Sequence, residues 1–230
     1  MTSPALAHKM RVLAARATAN AVPGQVVDRH TSDAHRLIRA KLDEDRRRLK
    51  AIQSREAKIA LKRELLPDYD DYANAVIGSG VGVQDEVLSY IMTWRIDVGD
   101  FDGAFVIAKY IIEHKLSTAE RFKRTPGTFV AEETAIAALR AYARQETFPV
   151  ATLEAAHELT ETCDMPDQVR AKLLFATGRH LIEHDPSRAI ALLRKAVDLH
   201  EAVGAKKDIE QLAARLRREG SNEPPSSDGT

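Results

Sequence analysis

Residues 49–67 read LKAIQSREAKIALKRELLP, and the way this stretch folds decides the class of the whole chain. It contains no glycine, and its one proline stands last. Ala, Leu, Lys, Arg and Glu, all strong helix formers, fill most of it. Ile52 and Ile59 lie a heptad apart, and Lys50, Arg55, Lys58, Lys62 and Arg63 take much of the remaining surface. The stretch therefore reads as a basic amphipathic helix. Pro67 stops it, because proline disfavours the α conformation in the residue before it. Toward the amino terminus the pattern runs back to Ser32 or Asp33, plausible N-caps, without a Gly or Pro. Ile38, Leu42, Leu49, Ile52 and Ile59 fall near heptad spacing, with Asp45 and Glu56 interrupting. The expectation is one long helix over 34–66 with an imperfect apolar seam, suited to pairing in a coiled coil.

Outward from this helix the chain is punctuated by helix starts and stops. Residues 1–33, with Pro4, Pro23 and Gly24, read as a flexible arm. A short helix is expected over 68–78, then a Gly78/Gly80/Gly82 loop, a helix over 83–98 closed by Gly99, and another over 101–113. Residues 117–129, containing RFKRTPGTF, read as an irregular basic loop. Further helices are expected at about 131–146, 150–162, 166–184, 186–203 and 205–219, started by Asp164–Pro166 and Asp185–Pro186 and stopped by Gly204. The tail from 220 to 230, GSNEPPSSDGT, reads as disordered by composition. Two hairpins share a tetratricopeptide-like pattern of small residues: Gly99-Asp100-Phe101 leading to Ala104, Ala108 and Ile111, and Asp185-Pro186 leading to Ala189, Leu193 and Ala196. They are too far apart for a single repeat of about 34 residues, so no regular array is expected. No segment alternates at period two. The expected fold is all-α: the long amphipathic helix at 34–66, then a bundle of helical hairpins over 67–219.

Composition agrees. The 230 residues are 44% hydrophobic, 30% charged and only 5% aromatic. Cys163 is the sole cysteine, so there is neither an internal disulfide nor a cysteine-based zinc site. That fits a reducing cytoplasm. No signal peptide is evident, and no apolar run approaches the roughly 18 residues that span a bilayer. Lys plus Arg and Asp plus Glu number 34 each, for a net charge of zero. The distribution is uneven, however. Arg36, Arg39, Lys41, Arg46, Arg47, Arg48, Lys50, Arg55, Lys58, Lys62 and Arg63 crowd one segment, against Asp43, Glu44, Asp45, Glu56 and Glu64. A local basic stripe can hold phosphates whatever the total charge.

Several motifs resemble catalytic signatures and fail on context. GSGVG at 78–82 lacks the lysine and hydroxyl residue of a phosphate-binding loop, and no strand precedes it. Pro67-Asp68 with Glu113-His114-Lys115 imitates a restriction-nuclease pattern but sits in helical sequence. His180-Leu181-Ile182-Glu183-His184 has the H-x-x-E-H order of inverted zinc proteases. Too little chain follows for the further glutamate ligand, so no metal site is assigned there. Cys163 and His157 are six residues apart on one segment and do not face each other. A Mg²⁺-dependent nuclease needs clustered carboxylates. Asp85, Asp97 and Asp100 are the candidates, but their spacing does not converge by itself.

The basic helix is the strongest functional candidate. Two readings of it stand: a surface that holds nucleic-acid phosphates, or the solvated face of a coiled coil. Arg121, Lys123 and Arg124, around Phe122, form a second, shorter basic patch.

A set of elements running almost end to end carries a resemblance. They are Met1-Thr2-Ser3-Pro4-Ala5 with His8 and Met10-Arg11-Val12; Leu49-Lys50-Ala51-Ile52; Lys62-Arg63-Glu64-Leu65-Leu66-Pro67; Gln84-Asp85; Trp94-Arg95 with Asp97, Gly99 and Asp100; Arg124-Thr125-Pro126; Glu132-Glu133; Asp164-Met165-Pro166-Asp167 with Val169 to Leu173; and Lys206-Lys207 with Ile209-Glu210. In order and length the chain resembles the small terminase subunit, GpM type, of peduovirus-like temperate tailed phages. The resemblance implies a packaging protein in the host bacterial cytoplasm. Such a protein recognises double-stranded viral DNA at its cohesive-end site and presents it to the large ATPase subunit. The resemblance also implies a homo-oligomer, since small subunits form rings. The family is commonly labelled the endonuclease subunit, which would add Mg²⁺ as a cofactor; without that role none is implied. Unlike members with a Lys/Arg/Pro-rich tail, this chain ends with Glu223 and Asp228 and no basic run. That shifts the expected DNA contact to the amino-terminal half.

Overall fold

A computed structural model describes residues 33–118 and 124–221. The expected arm, the tail beyond 221, and the patch residues Arg121, Phe122 and Lys123 lie outside the described residues. The described residues form ten α-helices and one 3-10 turn, with no strand among them. The chain divides into two compact units, residues 1–126 and 127–230.

In the first unit, α1 spans Asp33–Ala51 and α2 spans Arg55–Leu65. The single helix expected over 34–66 is thus two helices. Ser54 takes an extended conformation, φ −63° and ψ 130°, and its hydroxyl accepts from the Ala57 N–H at 3.3 Å. A hydroxyl at that position caps a new helix instead of continuing the old one. α1 buries Ala34, His35, Ile38, Leu42, Asp45 and Leu49, one face at three- and four-residue steps. Asp45 does not interrupt that face. It is buried within it, accepting from Lys41 at 2.6 Å, Tyr69 Oη at 2.8 Å and Arg48 at 3.1 Å. α2 is more exposed and buries only Leu65.

Leu66 links α2 to α3, Pro67–Gly78, with the proline at its start. α4, Glu86–Val98, is the centre of this unit and buries eight of its residues. Gly99 closes it at φ 86°, a left-handed conformation that costs a residue with a Cβ about 1 kcal/mol or more. α5, Phe101–Glu113, starts at once and packs against α4 through Ala104 and Ala108, both fully buried. The 78–82 glycine loop is tied to α5, with Gly82 N–H donating to Tyr110 Oη at 2.9 Å.

The second unit holds α6 (Pro126–Ala143), α7 (Val150–Thr160), α8 (Asp167–Leu181), α9 (Pro186–Leu199) and α10 (Lys206–Ser221). The loop expected up to 129 ends earlier, because Pro126 opens α6. Proline suits the first helical position, and Phe129 and Val130 are buried from there. α8 and α9 lie closest together. A Cβ at Gly178 would meet the Leu193 side chain at 2.8 Å. Ala189, Leu193 and Ala196 form the facing stripe of α9 and are fully buried.

Candidate nucleic-acid interface

The break at residues 52–54 sets the geometry of the site. Arg46 and Lys50 are one turn apart on α1, and Lys58 and Lys62 one turn apart on α2. Folding α2 back from α1 makes these two faces the walls of a single cleft of about 640 Å³. Asp43, Arg46, Arg47, Leu49 and Lys50 line it from α1, Lys58 and Lys62 from α2, and Tyr90 and Trp94 from α4. The aromatic residues are 1% and 3% exposed. They are fixed by T-shaped packing, Trp94 against Tyr69 at 5.8 Å and against Tyr90 at 6.5 Å. The Arg46 guanidinium lies over the Tyr90 ring at 4.5 Å, a cation–π contact that aims the arginine while keeping its charge.

The cations of the stripe fall into classes. Lys50 and Lys58 make no ion pair among the described residues, and neither does Arg55. Arg46 is paired with Asp43 at 3.2 Å, Arg47 with Glu44 at 2.8 Å, and Lys62 with Asp97. Lys41 and Arg48 are bound to the buried Asp45. Five of the expected phosphate-binding residues, Arg46, Arg47, Lys50, Lys58 and Lys62, therefore meet in one concavity. Arg55 stands outside its lining at the start of α2. Arg63 donates instead to the Val98 carbonyl at 3.2 Å. Arg124 lies elsewhere, its carbonyl accepting from Thr118 Oγ1 at 3.1 Å.

The three candidate acids have other partners. Asp85 is buried at the N-cap of α4. One carboxylate oxygen accepts from the Val87 N–H at 2.8 Å, the other from Tyr72 Oη at 2.5 Å. Tyr72 in turn accepts from His35 Nδ1 at 2.9 Å. Asp97 pairs with Lys62. Asp100 caps α5, accepting from the Gly103 N–H at 3.0 Å, and pairs with Arg95, which also binds Asp70. Among the described residues no three His, Cys, Asp or Glu side chains gather where a metal ion could sit. These carboxylates do not fit a Mg²⁺ site as arranged.

The remaining decoys resolve similarly. His180 Nε2 donates to the Ala138 carbonyl at 2.9 Å, and its ring packs between Tyr142 and Phe148. His157 is half-buried against Thr177, 3.1 Å away. The Thr177 hydroxyl donates to the Leu173 carbonyl, so its oxygen accepts from His157 Nε2–H. Burial first, then the nearby Arg170, Lys195 and Arg188, push the His157 pKa down to about 4. Burial raises the Cys163 thiol above its ordinary value, which opposes a nucleophilic role. No helix among the described residues is long and apolar enough to cross a membrane.

Sequence reasoning missed Tyr90 as part of the site and used Trp94 only as one of the elements that carry the resemblance. Both look like ordinary core aromatics until the break brings the cations over them. Ser54, followed by Arg-Glu-Ala, was the available signal for the break.

The cleft lies within the most recognisable part of the chain. The model of the family described as phage small terminase subunit matches residues 39–168. The terminase, endonuclease subunit of Escherichia phage P2 is 42% identical over 229 residues, which cover 99% of this chain and 91% of that protein. The probable terminase, endonuclease subunit of Haemophilus phage HP1 (strain HP1c1) is 26% identical over 204 residues, 81% of this chain and 72% of that protein. No solved structure matches.

Proposed function

The chain belongs to the phage small terminase subunit family, and from that premise we propose that it grips double-stranded viral DNA through the cleft between α1 and α2. In this reading it recognises the cohesive-end site and presents that DNA to the large ATPase subunit for cutting and packaging, in the cytoplasm of the host bacterium. The observation that carries it is the convergence of Arg46, Arg47, Lys50, Lys58 and Lys62 on one aromatic-floored concavity. A few cations per subunit bind weakly alone, and a homo-oligomeric ring multiplies them through effective concentration. Residues 34–66 then serve both oligomerisation and DNA contact, with 67–219 as a core of tetratricopeptide-like hairpins. The alanine stripes of α5 and α9 support the hairpin reading. Arg55, Arg63 and Arg124 are assigned to further phosphate contacts, as are Arg121 and Lys123, which lie outside the described residues.

The test is binding of labelled cohesive-end duplex by wild-type protein and by Lys50→Ala/Lys58→Ala. The double variant should lose affinity, and its log–log salt slope should fall by about 1.8, at about 0.9 for each lost phosphate contact. Unchanged affinity and slope sink the assignment. Measuring the oligomer mass with and without DNA in the same samples tests the ring.

The names of the two relatives favour a second reading, in which the subunit itself makes the cut with Mg²⁺. Asp85, Asp97 and Asp100 are the acids that reading would draw on, and among the described residues they do not gather at one metal position. It requires the isolated protein to nick plasmid with Mg²⁺ and Asp97→Asn to abolish this; absence of cleavage without the large subunit removes the reading.

A further inference from the structure

The basic cleft carries its own acids. Lys62 on its wall is held by Asp97, which reaches it from α4. Asp97 lies in the last turn of α4, where a negative charge opposes the helix dipole. Helix stability therefore does not account for it. Its side chain is 41% exposed, so it can return to water without a buried-charge penalty. Asp45 is the contrast: 4% exposed and bonded to three donors, it cannot release Lys41 or Arg48 cheaply.

We propose that Asp97 is a built-in competitor for the phosphodiester that enters the cleft, and that DNA binds by exchanging the carboxylate partner of Lys62 for a phosphate oxygen. The proposal rests on the reading of the cleft as the DNA site. Lys50 and Lys58 give the phosphate its first contacts, having no carboxylate partner to displace among the described residues. Lys62 joins when the strand is seated and Asp97 swings free. A partly exposed pair is weak enough for this, and a phosphate in a strand already held by two lysines is at high effective concentration. Asp97 thereby sets a threshold. A lone anion meets an occupied lysine, whereas a continuous backbone carries the next phosphate to it.

The experiment uses the full chain and a short labelled duplex, with Lys62→Gln, Asp97→Asn and the double variant. Asp102→Asn, on exposed α5 surface outside the cleft lining, is the control for net charge. The expected result has three parts. Lys62→Gln lowers the salt slope by about 0.9, because Lys62 reaches phosphate in spite of Asp97. Asp97→Asn tightens binding about two- to fivefold, the equilibrium equivalent of freeing a surface ion pair, and the denaturant midpoint barely moves. In the Lys62→Gln background the gain shrinks to that of Asp102→Asn, as a pairwise coupling requires. A slope unchanged by Lys62→Gln, or equal gains from Asp97→Asn and Asp102→Asn, overturns the exchange. Loss of DNA affinity in Lys50→Ala/Lys58→Ala is measured alongside. If that variant binds normally, the cleft reading itself has failed, which is a different result from failure of the exchange alone.

Discussion

Asp85 illustrates how one residue's chemistry separates a structural from a catalytic role. Its two oxygens are filled by the Val87 N–H and the Tyr72 hydroxyl in a buried site. Removing the carboxylate leaves both donors unsatisfied, so Asp85→Ala should destabilise the protein by about 2–4 kcal/mol in urea unfolding. A metal-ligand role predicts the opposite pattern, lost cleavage with stability intact. His157 makes a prediction in pH. Its folded pKa is near 4, below the roughly 6.5 of an unfolded histidine. Between those values the unfolded chain binds a proton that the native chain refuses. Stability therefore rises with pH across that window and is lost as pH falls through it. His157→Gln should flatten this part of the profile, read from urea midpoints at about pH 4, 5.5 and 7.

At the scale of elements, the punctuation was legible and the break was not. Gly99 and Pro186 mark real α-helix ends and Gly204 closes the 3-10 turn after α9, because each forbids or requires a backbone conformation whatever surrounds it, whereas Pro126 opens α6 from within a stretch that reads as loop. Residues 49–57 carry no such signal. Their apolar spacing is satisfied equally by one helix or two, and the choice falls to a single hydroxyl at Ser54. The same ambiguity hid the site. The basic residues were all visible in the sequence, but their meeting depends on α2 turning back. Asp45 was misread as a flaw in the seam because a buried carboxylate is recognised only through its donors, and Tyr69 lies 24 residues away. Ser54→Ala should cost about 1 kcal/mol in denaturant unfolding, whereas Ser54→Asn, which keeps a capping acceptor, should cost much less.

For the whole molecule, the division at 126/127 means each unit has a core of its own. In the second unit Leu174, Phe175, Leu181, Leu193 and Leu212 pack with Ala189, Ala196 and Ala205. Residues 124–221 expressed alone should be helical by circular dichroism and unfold in one cooperative transition, with DNA affinity staying in the remainder of the chain. A molten, non-cooperative fragment would count against two independent cores.

The cleft also has a consequence in time. Positive and negative side chains balance over the chain, so beyond a Debye length of about 10 Å the molecule has little field with which to draw a polyanion from solution. The concentrated charge of the cleft acts only on a strand already in contact. Encounter should then proceed at the unsteered rate of about 10⁵–10⁶ M⁻¹s⁻¹, nearly indifferent to salt, while residence time shortens steeply as salt rises. Stopped-flow association and chase dissociation at two ionic strengths would show that asymmetry, with salt acting on departure and hardly on arrival.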